Sequence, residues 1–297
     1  MDKIGFVILH YYTIDDTKKC VDSIQNKIDT DNYEIVIVDN ASPNNTGKEL
    51  KEIYKNNDKI HIILNDENLG FSRGNNIGYR YLKNELKCNF IVMLNNDTYL
   101  IQNDFFSVIL KEYQKSKFGV MGPKIYLKDN RIDRIDRKIQ NVKELKKYRY
   151  KIYFKLCLNY LHLEDVFMKI NKKNKKNKLV KEEVNEDDLK RCEGAVLHGC
   201  CLVFSPIYIS KFDGLSEKTF LYAEEDLLYI QIYMNDMITV YNPELKIFHN
   251  ELSSTKAVTK SNNSKNRFRY KNLIKANKIL EKELKLYYKY IKEKQNA

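Results

Sequence analysis

The sequence predicts an α/β protein: an open, mostly parallel sheet with helices on both faces, extended by a helical insertion and a basic C-terminal helix. Short Ile- and Val-rich runs alternate with helix-length polar segments over the first hundred residues, the order that folds as β-α-β units. A hydrophobic fraction of 43% in 297 residues, with ten Gly and four Pro, can bury a full core and excludes a collagen-like or wholly disordered chain. No run of 18 apolar residues occurs, so no membrane span is expected.

The strands are expected at Ile4–His10, Glu34–Val38, Ile60–Leu64 and Phe90–Leu94, short and rich in β-branched residues as buried parallel strands are. Helices are expected between them at Asp15–Ile28, Gly47–Lys55 and Ser72–Leu86. After Ile125 the pattern breaks. Over Glu144–Ile170 the residues Leu145, Tyr148, Ile152, Leu156, Tyr160, Leu163 and Phe167 step by three or four with lysines between them, which predicts a basic amphipathic helix or helix pair. Asn171–Lys178 reads as a solvated loop. Strand character returns at Ala195–Phe204, a helix starts near Ala223, a short strand covers Ile238–Tyr241, and Pro243 interrupts before Leu245–Phe248. The tail is helical from Arg267 to Ile291. The resulting division is a first α/β half at 1–127, an insertion at 128–191, a second half at 192–255 and a tail at 256–297.

Charge follows the same division. The chain has 52 Lys+Arg against 40 Asp+Glu, and the excess is confined to 128–191, with 20 basic against 11 acidic residues, and to 256–297, with 13 against 3. Two cationic appendages on a near-neutral body suggest an anionic surface beside it. No nucleic-acid recognition module accompanies them. An amphipathic helix lying on an anionic bilayer is the preferred reading over a merely solvated face. The apolar start after Lys3 is too short for an export signal, so a cytoplasmic protein, peripheral at the inner face of the membrane, with its six Cys reduced, is expected. Cys192, His198, Cys200 and Cys201 match no zinc spacing and read as buried thiols and a separate His.

Open parallel sheets bind ligands at the carboxyl ends of their strands. The second expected strand runs into Asp39-Asn40-Ala41-Ser42, where a carboxylate beside amide and hydroxyl groups suits the imide N–H of a pyrimidine and its ribose, or alternatively makes a helix-capping turn. Strand three is followed by Asn68-Leu69-Gly70-Phe71-Ser72-Arg73-Gly74-Asn75-Asn76-Ile77-Gly78. Glycines four apart that open a helix allow either an anion or a sheet to approach closely; the run is neither G-x-G-x-x-G nor a Walker loop. Strand four ends in Asn95-Asn96-Asp97, where a Mg²⁺ or Mn²⁺ bridging two phosphates could sit on Asp97. His10 and Tyr11 could flank the base or pack.

Together these segments, with Leu94-Asn95-Asn96-Asp97-Thr98, resemble in order and spacing glycosyltransferase family 2, most of all its rhamnosyltransferase-like bacterial surface-glycan members. The resemblance covers 4–127 and resumes over 192–255. It implies the GT-A fold and an inverting transfer from a UDP- or dTDP-linked sugar to a hydroxyl of a lipid-linked glycan. By the same resemblance Phe220-Leu221-Tyr222-Ala223-Glu224-Glu225-Asp226 carries the base, with Glu225 first, Glu224 second and Asp226 third. His249 is implied as a second metal ligand, and His198 and Gly199 as acceptor-side. The metal motif keeps one carboxylate, so Arg73 or backbone groups would meet part of the leaving charge. A sugar nucleotidyltransferase and a catalytically inactive glycan-binding protein are the alternatives. The first would carry a basic Gly-rich loop where this chain has His10-Tyr11-Tyr12-Thr13, and the second would lack the acidic triplet.

Overall fold

The computed structural model describes residues 2–128, 131–133, 139–164, 167, 190–251 and 262–296. Asn171–Lys178 and the end of the expected helix beyond 167 lie outside them.

The elements run β1 (Ile4–His10), α1 (Ile14–Lys27), β2 (Tyr33–Asp39), α2 (Thr46–Tyr54), β3 (Ile60–Leu64), α3 (Phe71–Asn84), β4 (Phe90–Asn95), β5 (Thr98–Leu100), α4 (Phe105–Ser116), β6 (Val120–Tyr126), α5 (Val142–Tyr160), β7 (Cys192–Glu193), β8 (Cys201–Phe204), α6 (Pro206–Lys211), α7 (Glu224–Tyr233), β9 (Thr239–His249) and α8 (Asn262–Asn296). One sheet holds the strands in the order β3-β2-β1-β4-β8-β6-β9-β5, with β7 paired to β9. The first four are parallel as predicted. From β8 onward the sheet turns mixed, because β8 enters antiparallel between β4 and β6.

Alternate residues of each strand feed two cores, since successive side chains point to opposite faces. Phe6, Ile8, Ile35, Ile37 and Val92 pack with Cys20, Val21 and Ile24 of α1 and Phe105 and Ile109 of α4. Val7, Val36, Val38, Ile91 and Met93 pack with Tyr79 and Leu82 of α3, Tyr208 of α6 and Leu228 of α7. Helix α3 comes unusually close to the sheet because Gly74 and Gly78 face it. A Cβ at 78 would lie 2.8 Å from Val7 Cγ1 and 2.9 Å from Val38 Cγ2.

Two local expectations are corrected. Strand structure is confined to 201–204 within Ala195–Phe204, because the chain turns at 199–200, where the Cys200 N–H donates back to His198 Nδ1 at 3.1 Å. Pro243 does not end a strand: β9 runs through it, and the register against β6 slips after Pro123 so that Asn242 and then Lys246 are successive partners. The unpaired residues form a bulge, the position in a sheet that tolerates a proline.

The cationic segments meet each other. Helices α5 and α8 lie antiparallel, with Leu145, Leu280, Leu284 and Tyr287 packed on Leu227 and Ile230 of α7, and Ile152 packed on Tyr270 and Ile274. Arg149 pairs with Glu281 at 2.6 Å, and Lys285 and Arg149 hold the Glu281 carboxyl down at about 2. At roughly 1.5–3 kcal/mol per large apolar side chain buried, these contacts fix the pair as a third layer. The inward stripe of α5 is therefore covered by protein: Leu145 and Ile152 are buried, while Tyr148 and Tyr160 are exposed.

Candidate active site

In-register pairing brings the ends of β1, β2 and β4 to one level, with His10 beside Asp39 and Leu9 beside Asn95. Tyr12 and Ala41, just past two of these ends, have φ of 71° and 60°, left-handed conformations that cost non-glycine residues and concentrate at functional sites. Two hydrogen bonds tie the turns together, from the Tyr12 N–H to Ser42 Oγ at 3.1 Å and from Asn44 Nδ2 to the Tyr12 carbonyl at 2.9 Å. Asp39 is nearly buried, and its two oxygens accept the Ser42 N–H at 3.2 and 3.4 Å. Tyr11 is half-buried, edge-on to the Tyr12 ring at 5.2 Å.

His10 takes a supporting position. It has no exposed surface, its ring nitrogens pair with Thr17 Oγ1 at 2.7 Å and Thr46 Oγ1 at 2.8 Å, and burial pushes its pKa down to about 4 against the opposing pull of Asp39. It braces the Asp39 turn from below. Several amides are fasteners in the same way. Asn40 donates to Asn68 Oδ1 and to the Gly70 carbonyl, both at 3.1 Å, and accepts from Leu69 N at 3.0 Å and Asn65 Nδ2 at 3.2 Å. Asn96 donates to Thr13 Oγ1 at 2.8 Å and Thr17 Oγ1 at 3.1 Å, and Asn75 to the Phe71 carbonyl at 3.0 Å.

The glycine-rich run joins the two halves. Gly70 has φ of 80°, and a Cβ there would stand 2.2 Å from the Phe220 carbonyl oxygen, which the Phe71 N–H reaches at 2.9 Å. Asn76 clamps the same segment, donating to the Leu215 carbonyl at 2.8 Å and to Glu217 at 3.0 Å and accepting the Leu215 N–H at 2.8 Å. Arg73, expected to meet part of the leaving charge, is exposed in the first turn of α3 and instead lines a groove with Lys218, Phe220 and Lys275.

Asp97 and His249 meet because β5 pairs with β9, which sets Thr98 opposite His249. Asp97 Oδ1 lies 3.3 Å from His249 Nε2, and both residues are largely buried. Two adjacent ligands of an octahedral ion, each at about 2.1 Å, stand about 3 Å apart, so this spacing fits a Mg²⁺ or Mn²⁺ ion held between them. His249 Nδ1 is buried without a hydrogen-bond partner. Among the described residues no group of three or more His, Cys, Asp or Glu could hold a metal. Asn95 is half-buried beside this pair.

The acidic triplet opens α7, where carboxylates favour the helix dipole. The two residues before it, Tyr222 and Ala223, have φ of 74° and 68°, so the turn is strained where the acids are presented. Glu225 Oε1 accepts the Gly199 N–H at 3.2 Å. Glu224 is nearly buried, with Oε1 unpartnered, and burial raises its carboxyl to about 7. Asp226 is half-buried. The His198 ring stands 5.8 Å from the His249 ring, and its Nε2 lies 3.5 Å from Asp133 Oδ2. Next along the chain, the Cys200 thiol is held well above its ordinary pKa by burial, with Cys201 and then Asp133, Asp97 and Glu225 adding to the shift. The two edge-on histidines and Gly199 thus link carboxylates from three distant segments, Asp133 through His198, Asp97 through His249 and Glu225 through Gly199. Asp133 is the participant the sequence reading missed, and its segment carries no periodic signal that could have marked it.

The family model for glycosyl transferase family 2 matches residues 6–201. The low-salt glycan biosynthesis hexosyltransferase Agl10 of Haloferax volcanii is 29% identical over 125 residues, which are 42% of this chain and 37% of that protein. The chain thus aligns with little more than a third of that relative's length. Crystal structures of S. aureus TarS 1-349, in complex with UDP and with UDP-GlcNAc, share the fold at 12% identity with TM-scores of 0.52 and 0.53; the match covers 92% of this chain and 64% and 65% of theirs.

Proposed function

This chain belongs to glycosyltransferase family 2, and from that membership we propose that it is an inverting enzyme moving a sugar from a UDP- or dTDP-linked donor to a hydroxyl of a lipid-linked glycan. The observation that supports the reading is the run of contacts from Asp97 to His249, from His249 to His198, and from the adjacent Gly199 to Glu225. Asp39 would accept the imide N–H of the base. Asp97 and His249 would hold a divalent cation, which when bound supplies positive charge to the donor diphosphate. Glu225 would take the proton of the acceptor hydroxyl while that oxygen bonds to the anomeric carbon and the bond from that carbon to the diphosphate oxygen breaks. Attack from the face opposite the leaving group inverts the centre. The Gly199 N–H would hold the Glu225 carboxylate in place, and a Cβ at 199, 2.9 Å from Glu225 Oε1, would push that carboxylate aside.

The test is Glu225→Gln assayed for nucleoside diphosphate release from a panel of UDP- and dTDP-sugars. Turnover should fall by about 100-fold or more, the usual contribution of a positioned base, with UDP affinity unchanged. Full turnover in Glu225→Gln would sink the assignment.

The membrane reading rests on the outward face of α5. No helix among the described residues is long and apolar enough to cross a membrane. Tyr150, Phe154 and Leu161 are 70%, 52% and 61% exposed on the side away from α8, with Lys147, Lys151 and Lys155 also exposed among them. Aromatic and basic side chains on one helix face suit an anionic leaflet, each basic residue contributing about 1 kcal/mol. In this reading the enzyme works at the cytoplasmic face of the membrane. Tyr150→Ser with Phe154→Ser should abolish co-sedimentation with vesicles containing phosphatidylglycerol; unchanged sedimentation would remove the proposal.

A further inference from the structure

A groove of about 410 Å³ opens between the segment 218–221, the first turn of α3 and the side of α8. Its walls include Arg73, Lys218, Phe220, Phe268, Asn272 and Lys275, and among the described residues that line it none is acidic. Lys218 is matched by Glu283 at 2.6 Å. Arg73 and Lys275 are exposed and have no carboxylate within 4 Å among the described residues. Phe220 and Phe268 are 38% and 54% exposed, set perpendicular with centroids 6.2 Å apart. The Thr219 hydroxyl is buried without a partner.

Two cations with no carboxylate in contact, Arg73 acting on Glu217 only at longer range, stand beside two exposed aromatic faces and form a surface complementary to a group that is anionic at one end and sugar-like at the other. Guanidinium and ammonium groups supply charge-assisted hydrogen bonds to phosphoryl oxygens, and the rings offer apolar surface to the C–H faces of a pyranose. Position adds the second part of the case. The segment 218–221 that lines the groove continues along the chain through Tyr222 and Ala223 to Glu225, and the Phe220 carbonyl accepts the Phe71 N–H at the start of α3. A molecule seated here lies on the chain segment that joins the donor-side loop to the base.

We infer that this groove binds the phosphoryl-bearing end of the acceptor, a sugar phosphate whose free hydroxyl reaches toward Glu225. The inference rests on the transferase reading for its direction, while its binding chemistry is separate. The phosphoryl group could belong to a prenyl diphosphate anchor or to a phosphodiester within a polymer.

The experiment titrates the full chain by calorimetry with three soluble probes: citronellyl-diphosphate-linked N-acetylglucosamine, a glycerol phosphate oligomer, and the neutral disaccharide chitobiose. At least one phosphorylated probe should bind tenfold or more tightly than chitobiose, and the tighter of the two identifies the source. Lys275→Glu, a change on an exposed helix face, should erase that preference, and Phe268→Ala should weaken the same probe several-fold. Saturating UDP should leave probe binding in place. Equal affinity for all three probes, an unaffected Lys275→Glu variant, or displacement of the probe by UDP would each overturn the inference. Loss of UDP-sugar turnover in the wild-type chain with probe binding intact would count against the transferase reading alone and leave the groove assigned.

Discussion

Gly47→Ala tests whether the Asp39 carboxylate is held ready for a ligand by the packing beneath it. In α2, a Cβ at position 47 would fall 2.1 Å from Asp39 Oδ2 and 2.3 Å from its Cγ, where ordinary contact begins near 3.4 Å. The carboxylate must withdraw by about 1.3 Å, which breaks its bonds to the Ser42 N–H. Overpacking of this kind costs about 1–3 kcal/mol of stability. For binding the consequence is separate: a hydrogen bond to an ionised group contributes about 1.5–3 kcal/mol, so UDP should bind roughly 10- to 100-fold more weakly. Calorimetry on wild type, Gly47→Ala, Asp39→Asn and the double variant is the assay. Because both single changes delete the same contact, the double variant should lose little more than either. Wild-type UDP affinity in Gly47→Ala, alongside weakened binding in Asp39→Asn, would refute the reasoning.

Two buried groups should give opposite pH dependences. His10 is lowered to about 4 in the fold from an ordinary value near 6.5, so the unfolded chain takes up a proton first as pH falls, and about 3 kcal/mol of stability disappears between pH 6.5 and 4. Urea midpoints at pH 4.5 and 7 should converge in His10→Gln relative to wild type. Glu224 is raised to about 7, so its protonated form favours the fold and stability declines as pH rises from about 4.5 to 7. Glu224→Gln should remove that decline; an unchanged slope would show that the carboxyl is solvated. Asn76→Ala deletes three hydrogen bonds to 215–217 and should cost about 3 kcal/mol, read from the urea midpoint, while an effect below about 1 kcal/mol would mean that the clamp is redundant.

Much of the first half was legible because its signals are local. Val and Ile runs marked β1 to β4, and the helices between them begin and end within two residues of the periodicity. The later strands were harder to read: β6 contains Gly122 and Pro123, and β9 carries Pro243 in a bulge that only its pairing with β6 explains. At the candidate site, the sequence marked strand ends but could not apportion contacts among polar residues of one type. Asn40, Asn75 and Asn96 read as ligand-facing, and their amides are spent on backbone and threonine partners. That distinction depends on contacts tens of residues away. The lysine-rich helix shows the same limit, since periodicity found its apolar stripe but not that α8 covers it.

The antiparallel pairing of α5 with α8 has a consequence for synthesis. Leu145 and Ile152 emerge from the ribosome well over a hundred residues before Leu280 and Leu284, an interval of about 6–28 s at about 5–20 residues per second. By its last part the sheet and α7 can form, but the apolar flank of α7 and the inner face of α5 have nothing to close on. A nascent chain arrested before position 270 should therefore be bound by holdase chaperones and nicked by protease within α5, and release of the last thirty residues should abolish both.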